Sequence, residues 1–286
     1  MKKLVKKILD CIGSIILLGP WGKHQAAKLL PPAELHKLDV SSVKRAVIFA
    51  PHPDDEVFGA GLLLNSLTAT GASFTIVYVT NGQKYKTAVG GDRVQEAKAF
   101  AHHLKAEACF LDYIDGELVQ NEDMLTKAVS DYLVGAELVV MPTYNDYHPD
   151  HRALSKAVLR AIRPSGRVRI LMYCTCTPLW PDYQISYLQG SFNCLDQFFK
   201  FYRSSTSDRS INSFQVMRTF QARGYLGKSV FWEPFWELKD SDAAAAFQKA
   251  GRSLPPNFPV LETSMRWRKF LKELRSYNKF SSEERK

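Results

Sequence analysis

The chain has 286 residues, 45% hydrophobic, 12% aromatic and 23% charged. That is the balance of a globular protein with a full core, and it excludes a disordered, collagen-like or coiled-coil chain. The net charge of +9 sits at the ends: residues 1–48 carry +6 and residues 262–286 carry +4, leaving −1 between them. A near-neutral centre with basic ends and no nucleic-acid-binding motif favours a surface-docked enzyme over a DNA or RNA reader. The five cysteines, Cys11, Cys109, Cys174, Cys176 and Cys194, are odd in number and irregularly spaced. They do not form a secreted disulfide framework, which points to a reducing compartment. Cys174 and Cys176 lie in a strand-like apolar run and read as core.

Residues 1–19 place Leu4, Val5, Ile8, Leu9, Ile12, Ile15 and Ile16 on one helical stripe, opposite Lys2, Lys3, Lys6, Lys7, Asp10 and Ser14. Gly19-Pro20 ends this basic amphipathic helix. Asp10 and the lack of an A-x-A-like site argue against a cleaved signal peptide. Two readings stay open: a helix packed on the protein's own body, and one lying in a membrane interface.

Ala46–Ala50 is a short buried strand ended by Pro51, and Val57–Thr70 a helix stopped by Gly71. Phe74–Thr80 is a second strand, rich in β-branched and aromatic residues. After the loop Asn81–Gly91, Asp92 opens a helix with Gln95 placed as in a capping box. Ala108–Leu111 is a strand, and Glu122–Val134 a helix with Met124, Leu125, Ala128, Val129 and Leu133 inward. Leu138–Met141 is a strand, His151–Ile162 a helix, and Arg169–Cys174 a strand. Thr177–Glu237 reads as two helices and edge strands. Thr263–Lys286 reads as a basic helix packed on the domain through Met265, Phe270, Leu271 and Leu274. No apolar run reaches the 20 residues a membrane span needs.

Strands alternating with helices predict an α/β, Rossmann-like three-layer sandwich with a mostly parallel sheet. One domain over 44–237 is expected, with helical extensions over 1–43 and 238–286. No G-x-G-x-x-G follows the first strand, so dinucleotide binding has no support.

Two loops carry chemistry: Pro51-His52-Pro53-Asp54-Asp55-Glu56 after the strand at 46–50, and Asn145-Asp146-Tyr147-His148-Pro149-Asp150-His151 after the strand at 138–141. Both fall at the carboxyl ends of strands, where open α/β sheets place ligands. Taken singly, each histidine reads as readily as a loop residue and each aspartate as a turn or cap former. Together at equivalent positions, imidazoles and carboxylates suit a divalent ion such as zinc or iron. The loops can meet only if their strands are neighbours, as in a 3-2-1-4-5 order counted from the strand at 46–50. Trp180, Tyr183, Phe231, Trp232 and Trp236 suit either a sugar subsite or the core.

These two motifs resemble the PIG-L/LmbE family of metal-dependent N-deacetylases, with supporting matches at Thr80-Asn81-Gly82, Arg93-x-x-Glu96-Ala97, Lys200 to Ser205 and Glu233-Pro234-Phe235. The resemblance covers about 44–237. It implies His52, Asp55 and His151 as metal ligands, Zn2+ or another divalent ion such as Fe2+ as cofactor, and Asp54 as general base. It further implies His148 at the oxyanion or the leaving amine, with Asp150 orienting it. Arg93 and Glu96 are expected either to bind sugar or to form a helix–loop ion pair; some members carry a tyrosine just ahead of the second histidine, where this chain has Asp146 two residues before His148, and a phenol from Tyr144 or Tyr147 can still reach the substrate. The implied activity is hydrolysis of the N-acetyl group of an amino sugar, of N-acetylglucosaminyl type, in envelope glycan or glycolipid synthesis. The alternatives are a soluble small-molecule N-deacetylase of thiol-cofactor or antibiotic pathways, and a non-catalytic membrane-associated binding protein. A cytoplasmic location, peripheral at the inner face of an anionic membrane, and no nucleic-acid partner complete the expectation.

Overall fold

A computed structural model describes residues 11–30, 33–82, 92–175, 177–180, 182–251 and 267–283. Among the described residues eight strands form one sheet: β1 (Leu35–Lys37), β2 (Arg45–Ala50), β3 (Ser73–Thr80), β4 (Glu107–Tyr113), β5 (Leu138–Pro142), β6 (Arg169–Tyr173), β7 (Ile185–Gly190) and β8 (Phe231–Lys239). Their order is β1-β7-β8-β6-β5-β2-β3-β4. The five-strand stretch β4-β3-β2-β5-β6 is parallel and has the order expected from the sequence. β8 alone runs antiparallel to its neighbours, β6 and β7.

The helices are α1 (described over 11–18), α2 (Pro20–Leu29), α3 (Asp55–Thr70), α4 (Arg93–His103), α5 (Glu122–Ser130), α6 (Pro149–Ala161), α7 (Asn193–Phe199), α8 (Asp208–Tyr225), α9 (Ala243–Ala250) and α10 (Trp267–Glu283). Period-2 alternation along each strand divides the core into two layers. Ile48, Ile76, Val140 and Leu171 pack under α3, α4, α7, α8 and α10. Val47, Phe49, Val77, Val139 and Met172 pack under α5, α6 and α9. The three-layer α/β sandwich is thus present.

Several elements differ from the sequence reading. β7 and β8 are not edge strands: β8 lies between β6 and β7, and β1 forms the edge beyond β7. An aromatic-rich, unalternating run is what a strand covered on both faces looks like. Trp180, Trp232 and Trp236 are accordingly core, not an open sugar subsite. The helix at 122 ends at Ser130 and continues as a 3-10 turn over Asp131–Leu133. Met124, expected inward, is 61% exposed. Cys174 is buried core as expected, whereas Cys176 and the loop 83–91 lie outside the described residues.

Two devices hold β8 and the ends of the chain in place. Helix α3 departs from helical geometry at Ala60, and Glu233 of β8 accepts the Leu62 and Leu63 N–H groups at 2.8 and 2.9 Å. Burial raises Glu233 to about 7. At the C-terminal end Phe270, Leu271 and Leu274 are buried, with Phe270 edge-on to Phe220 of α8 and Trp267 edge-on to Trp21 of α2. Residues expected to form the apolar side of this helix therefore do so, while Met265 lies outside the described residues. Because Phe270 is wholly buried, Phe270→Ala is expected to cost about 3–5 kcal/mol in chemical denaturation of the full chain. A loss below about 1 kcal/mol would mean that α10 is not part of the folded core.

Candidate metal centre

Parallel pairing of β2 with β5, Ala46 opposite Leu138 and Ile48 opposite Val140, brings the two loops to one sheet edge. The first loop is tied to β3 as well: Thr80 donates from both N and Oγ1 to the Pro51 carbonyl, at 3.0 and 2.9 Å. From this loop His52 and Asp55 point inward. From the N-terminus of α6 come His148, Asp150 and His151.

The three imidazoles face one another. Ring centroids are 4.8 Å apart for His52–His148, 5.5 Å for His52–His151 and 5.1 Å for His148–His151. One nitrogen from each lies within 4.8 Å of the others, and the same holds for donor atoms of His52, Asp115 and Asp150. Asp55 Oδ2 is 3.0 Å from His52 Nδ1 and 3.1 Å from His151 Nε2. Burial raises Asp55, but the His151 and His52 charges win and hold it well below the usual carboxylate range. His151 is lowered by burial yet driven up to about 10 by Asp55 and Asp146, the latter 3.4 Å from its Nδ1. Burial likewise lowers His52, but Asp115, Asp150 and Asp55 carry it well above 6.5.

His148 behaves differently. Burial, then repulsion from His151 and His52, pushes it down to about 4, so its ring is neutral at pH 7. Its Nδ1 caps α6 by accepting the Asp150 N–H at 3.3 Å. A neutral imidazole that accepts at Nδ1 carries its proton on Nε2 and can donate there. The carboxylate of Asp150 does not orient His148, as the sequence suggested. It lies 3.1 Å from His52 Nε2 and accepts the Gly116 and Leu118 N–H groups at 2.6 and 3.3 Å. At the second position of a helix, Asp150 turns its side chain away from the capping residue, and only its main chain reaches back.

Asp54 stands apart from the imidazoles. Arg93 Nη2 lies 2.9 Å from its Oδ2 and also donates to the Pro53 carbonyl, while Nη1 donates to Gly82 O at 2.8 Å. These bonds commit the guanidinium to the loop, the ion-pair reading of the two. Gly82 has φ +64, and a Cβ there would sit 2.4 Å from Arg93 Nη1, so the glycine admits the arginine. Burial raises Asp54 to about 6, with Arg93 opposing and Asp55 adding to the shift. Its φ of 107 is a costly conformation for a residue with a Cβ. Glu56 holds it from below, accepting the Asp54 N–H at 3.1 Å and hydrogen bonds from Tyr78 and Tyr202. Glu96 does not face the cluster; it accepts from Ser204 N at 3.0 Å and fixes the 200–205 segment.

Sequence reasoning missed Asp115, whose Oδ1 is 3.1 Å from His52 Nε2, and the supporting role of Asp146, which also accepts the His148 N–H at 3.0 Å. The only signal for Asp115 was an Asp-Gly pair after a strand. The donor set fits a divalent cation. Four buried acidic side chains, Asp55, Asp115, Asp146 and Asp150, lie about His52 and His151, a buried oxygen and nitrogen donor set suited to a divalent ion.

Residues 47–162 match the PIG-L family, described as GlcNAc-PI de-N-acetylase, so the resemblance read from the two loops holds. Solved structures share the fold. The conserved protein TT1542 from Thermus thermophilus is 25% identical over 68% of this chain and 94% of its own, with a TM-score of 0.56. N,N'-diacetylchitobiose deacetylase from Pyrococcus horikoshii is 20% identical over 70% of this chain and 85% of its own, at 0.57. A deacetylase of the teicoplanin biosynthesis pathway is 18% identical over 68% and 97%, at 0.51. No curated protein sequence matches the chain.

A histidine can ligate a metal only after losing its proton. In the metal-free protein the His151 ion pairs stabilise the fold fully below pH 6.5, and that contribution is lost as pH rises through about 10. Divalent-ion uptake at pH 7.5 should therefore release about two protons per ion, one each from His52 and His151, and affinity should rise with pH. Calorimetry in buffers of different ionisation enthalpy reads this directly. A binding heat independent of buffer would show that His52 and His151 both keep their protons.

Proposed function

We propose that the protein is a metal-dependent hydrolase that removes the N-acetyl group of an N-acetylglucosaminyl-type conjugate with an apolar aglycone, as in envelope glycan or glycolipid synthesis. The observation that carries this reading is the division of labour between adjacent aspartates: Asp55 joins two imidazoles, while Asp54 faces Arg93.

His52, Asp55 and His151 would hold the ion, with Zn2+ favoured by the imidazole and carboxylate donors and Fe2+ the alternative. When bound, it supplies Lewis-acid polarisation of a poorly electrophilic amide carbonyl and lowers the pKa of water towards about 7. Asp54, raised to about 6, is ionised at neutral pH and basic enough to take a proton from the attacking water. The proton it gains is the one it returns to the departing amine. His148 is neutral at that pH and donates from Nε2 to the oxyanion, so it acts as the hydrogen-bond donor rather than the proton source. Arg93 positions Asp54, and the exposure of Tyr147 and its edge-on contact with His148 support a role for its ring against the sugar.

Support for an apolar aglycone comes from three exposed apolar residues. Ile114, Val119 and Tyr147 are all exposed. Each directly adjoins a residue of the centre or its immediate support, respectively Asp115, Leu118 and His148. Exposed apolar side chains next in sequence to the residues of a site suit a substrate with an apolar part. The N-terminal helix gives related support for peripheral contact with an anionic membrane on the cytoplasmic side. Leu17 faces the body while Ile12 and Ile15 of the apolar stripe stay exposed, as does Trp21. Lys2, Lys3, Lys6 and Lys7 lie outside the described residues. No described helix is long and apolar enough to cross a membrane.

Free-amine release from a panel of N-acetylglucosaminyl compounds (free, nucleotide-linked and lipid-linked) tests the reading. The lipid-linked member should give the highest kcat/KM. Asp54→Asn should retain metal and fold yet lose about 10²–10⁴ in kcat with little change in KM. An Asp54→Asn enzyme with near-wild-type kcat, or no amine release from any member, would overturn it.

A further inference from the structure

We propose a second ligand site, at the sheet edge opposite the metal centre, that takes an anion with an apolar body. It is independent of the deacetylase reading and shares none of its residues.

A cavity of about 1000 Å³ opens between the C-terminal ends of α5 and α6 and the segments leading into β5 and β6. β5 runs from this cavity to the loop of His148 and His151, so the two sites occupy opposite ends of one strand. The volume lies at the upper end of the range for small-molecule pockets, roughly 300–1,000 Å³.

Its lining has two characters. Val139, fully buried, and Ile162 and Val168 make an apolar wall, while Val134 stands 69% exposed. Lys127, Arg160, Arg163 and Arg167 also line it, against only two carboxylates, Asp123 and Glu137. Both acids are already engaged: Asp123 pairs with Arg160, and Glu137 Oε2 accepts the Lys44 N–H at 2.7 Å. Among the described residues, the side chains of Lys127 and Arg167 have no acidic partner, and Arg163 donates only to the Arg160 carbonyl, at 3.3 Å. Lys127 and Arg160 complement the C-terminal dipoles of α5 and α6. That role does not extend to Arg163 and Arg167, which lie beyond the helix end.

The loop that carries those two arginines is fixed in place. Asp240 accepts Ser165 N at 2.8 Å, Ser165 Oγ at 2.7 Å and Gly166 N at 3.2 Å. Two arginines without acidic partners, held on a braced loop beside an apolar wall, are what an amphipathic anion needs: a phosphate-like head on the guanidinium groups and a hydrocarbon body along Val139, Ile162 and Val168. A wholly apolar ligand would leave the cations unused, and a small inorganic anion would leave most of the volume unfilled.

Calorimetric titration of the full-length protein with decyl phosphate tests this, with inorganic phosphate and decyl maltoside as separate head and tail probes. One decyl phosphate per chain should bind, more weakly at higher salt. Arg163→Ala/Arg167→Ala should weaken binding at least about tenfold, the worth of one charge-assisted hydrogen bond. Val134→Glu, an exposed position whose change leaves the fold intact, should weaken it as well by placing a carboxylate at the same site. Unchanged affinity in both variants overturns the proposal, as does no saturable binding by the wild type. Inorganic phosphate or decyl maltoside binding as tightly as decyl phosphate also overturns it.

Discussion

One carboxylate oxygen, Asp55 Oδ2, lies within about hydrogen-bond distance of both His52 and His151, and those two histidines come from loops almost a hundred residues apart. This contact exists only because β2 and β5 pair in parallel and in register, ending their strands at the same edge. A shift of one residue would turn the side chains of one loop to the other face. The whole arrangement, from the sheet order to the charge on His151, follows from that adjacency. It also gathers the buried acidic side chains of Asp55, Asp115, Asp146 and Asp150, which a divalent cation would suit.

The structure around the centre serves largely to hold one residue, Asp54, in a conformation it would not adopt unaided. Arg93 clamps its side chain from α4, and Gly82 supplies the room for that clamp. Glu56 and the two tyrosines brace its main chain from below, where burial raises Glu56 to about 8. In the role proposed for it, Asp54 fixed in this way would not have to be reoriented at the moment of reaction, the advantage of a preorganised site. Strain in the backbone at Asp54 is therefore balanced by contacts from α3, α4, β3 and the segment before α8.

Much of this was legible in the sequence, for identifiable reasons. Strand order could be inferred because two histidine- and aspartate-bearing loops make chemical sense only as neighbours. The inward residues of α10 could be inferred from helical spacing, and Phe270, Leu271 and Leu274 are indeed buried. What could not be read depends on partners brought together by the fold. Asp115 looks like half of a turn until the 114–118 loop is placed against His52. Asp150 looks like a partner for His148 until helix geometry separates the two side chains. β8 was hidden because a strand covered on both faces has no alternation to detect, and β1 because three residues carry no periodic signal. Met124 followed the helical pattern, but the start of α5 lies beyond the core it was expected to cover.

The central claim is that the two loops form one metal-binding centre. Elemental analysis of the purified full-length protein, beside a His52→Ala/His151→Ala double variant, tests it most directly. Close to one divalent ion per chain is expected in the wild type and none retained by the folded double variant. A wild type without stoichiometric metal, or a double variant with the same content, would contradict it.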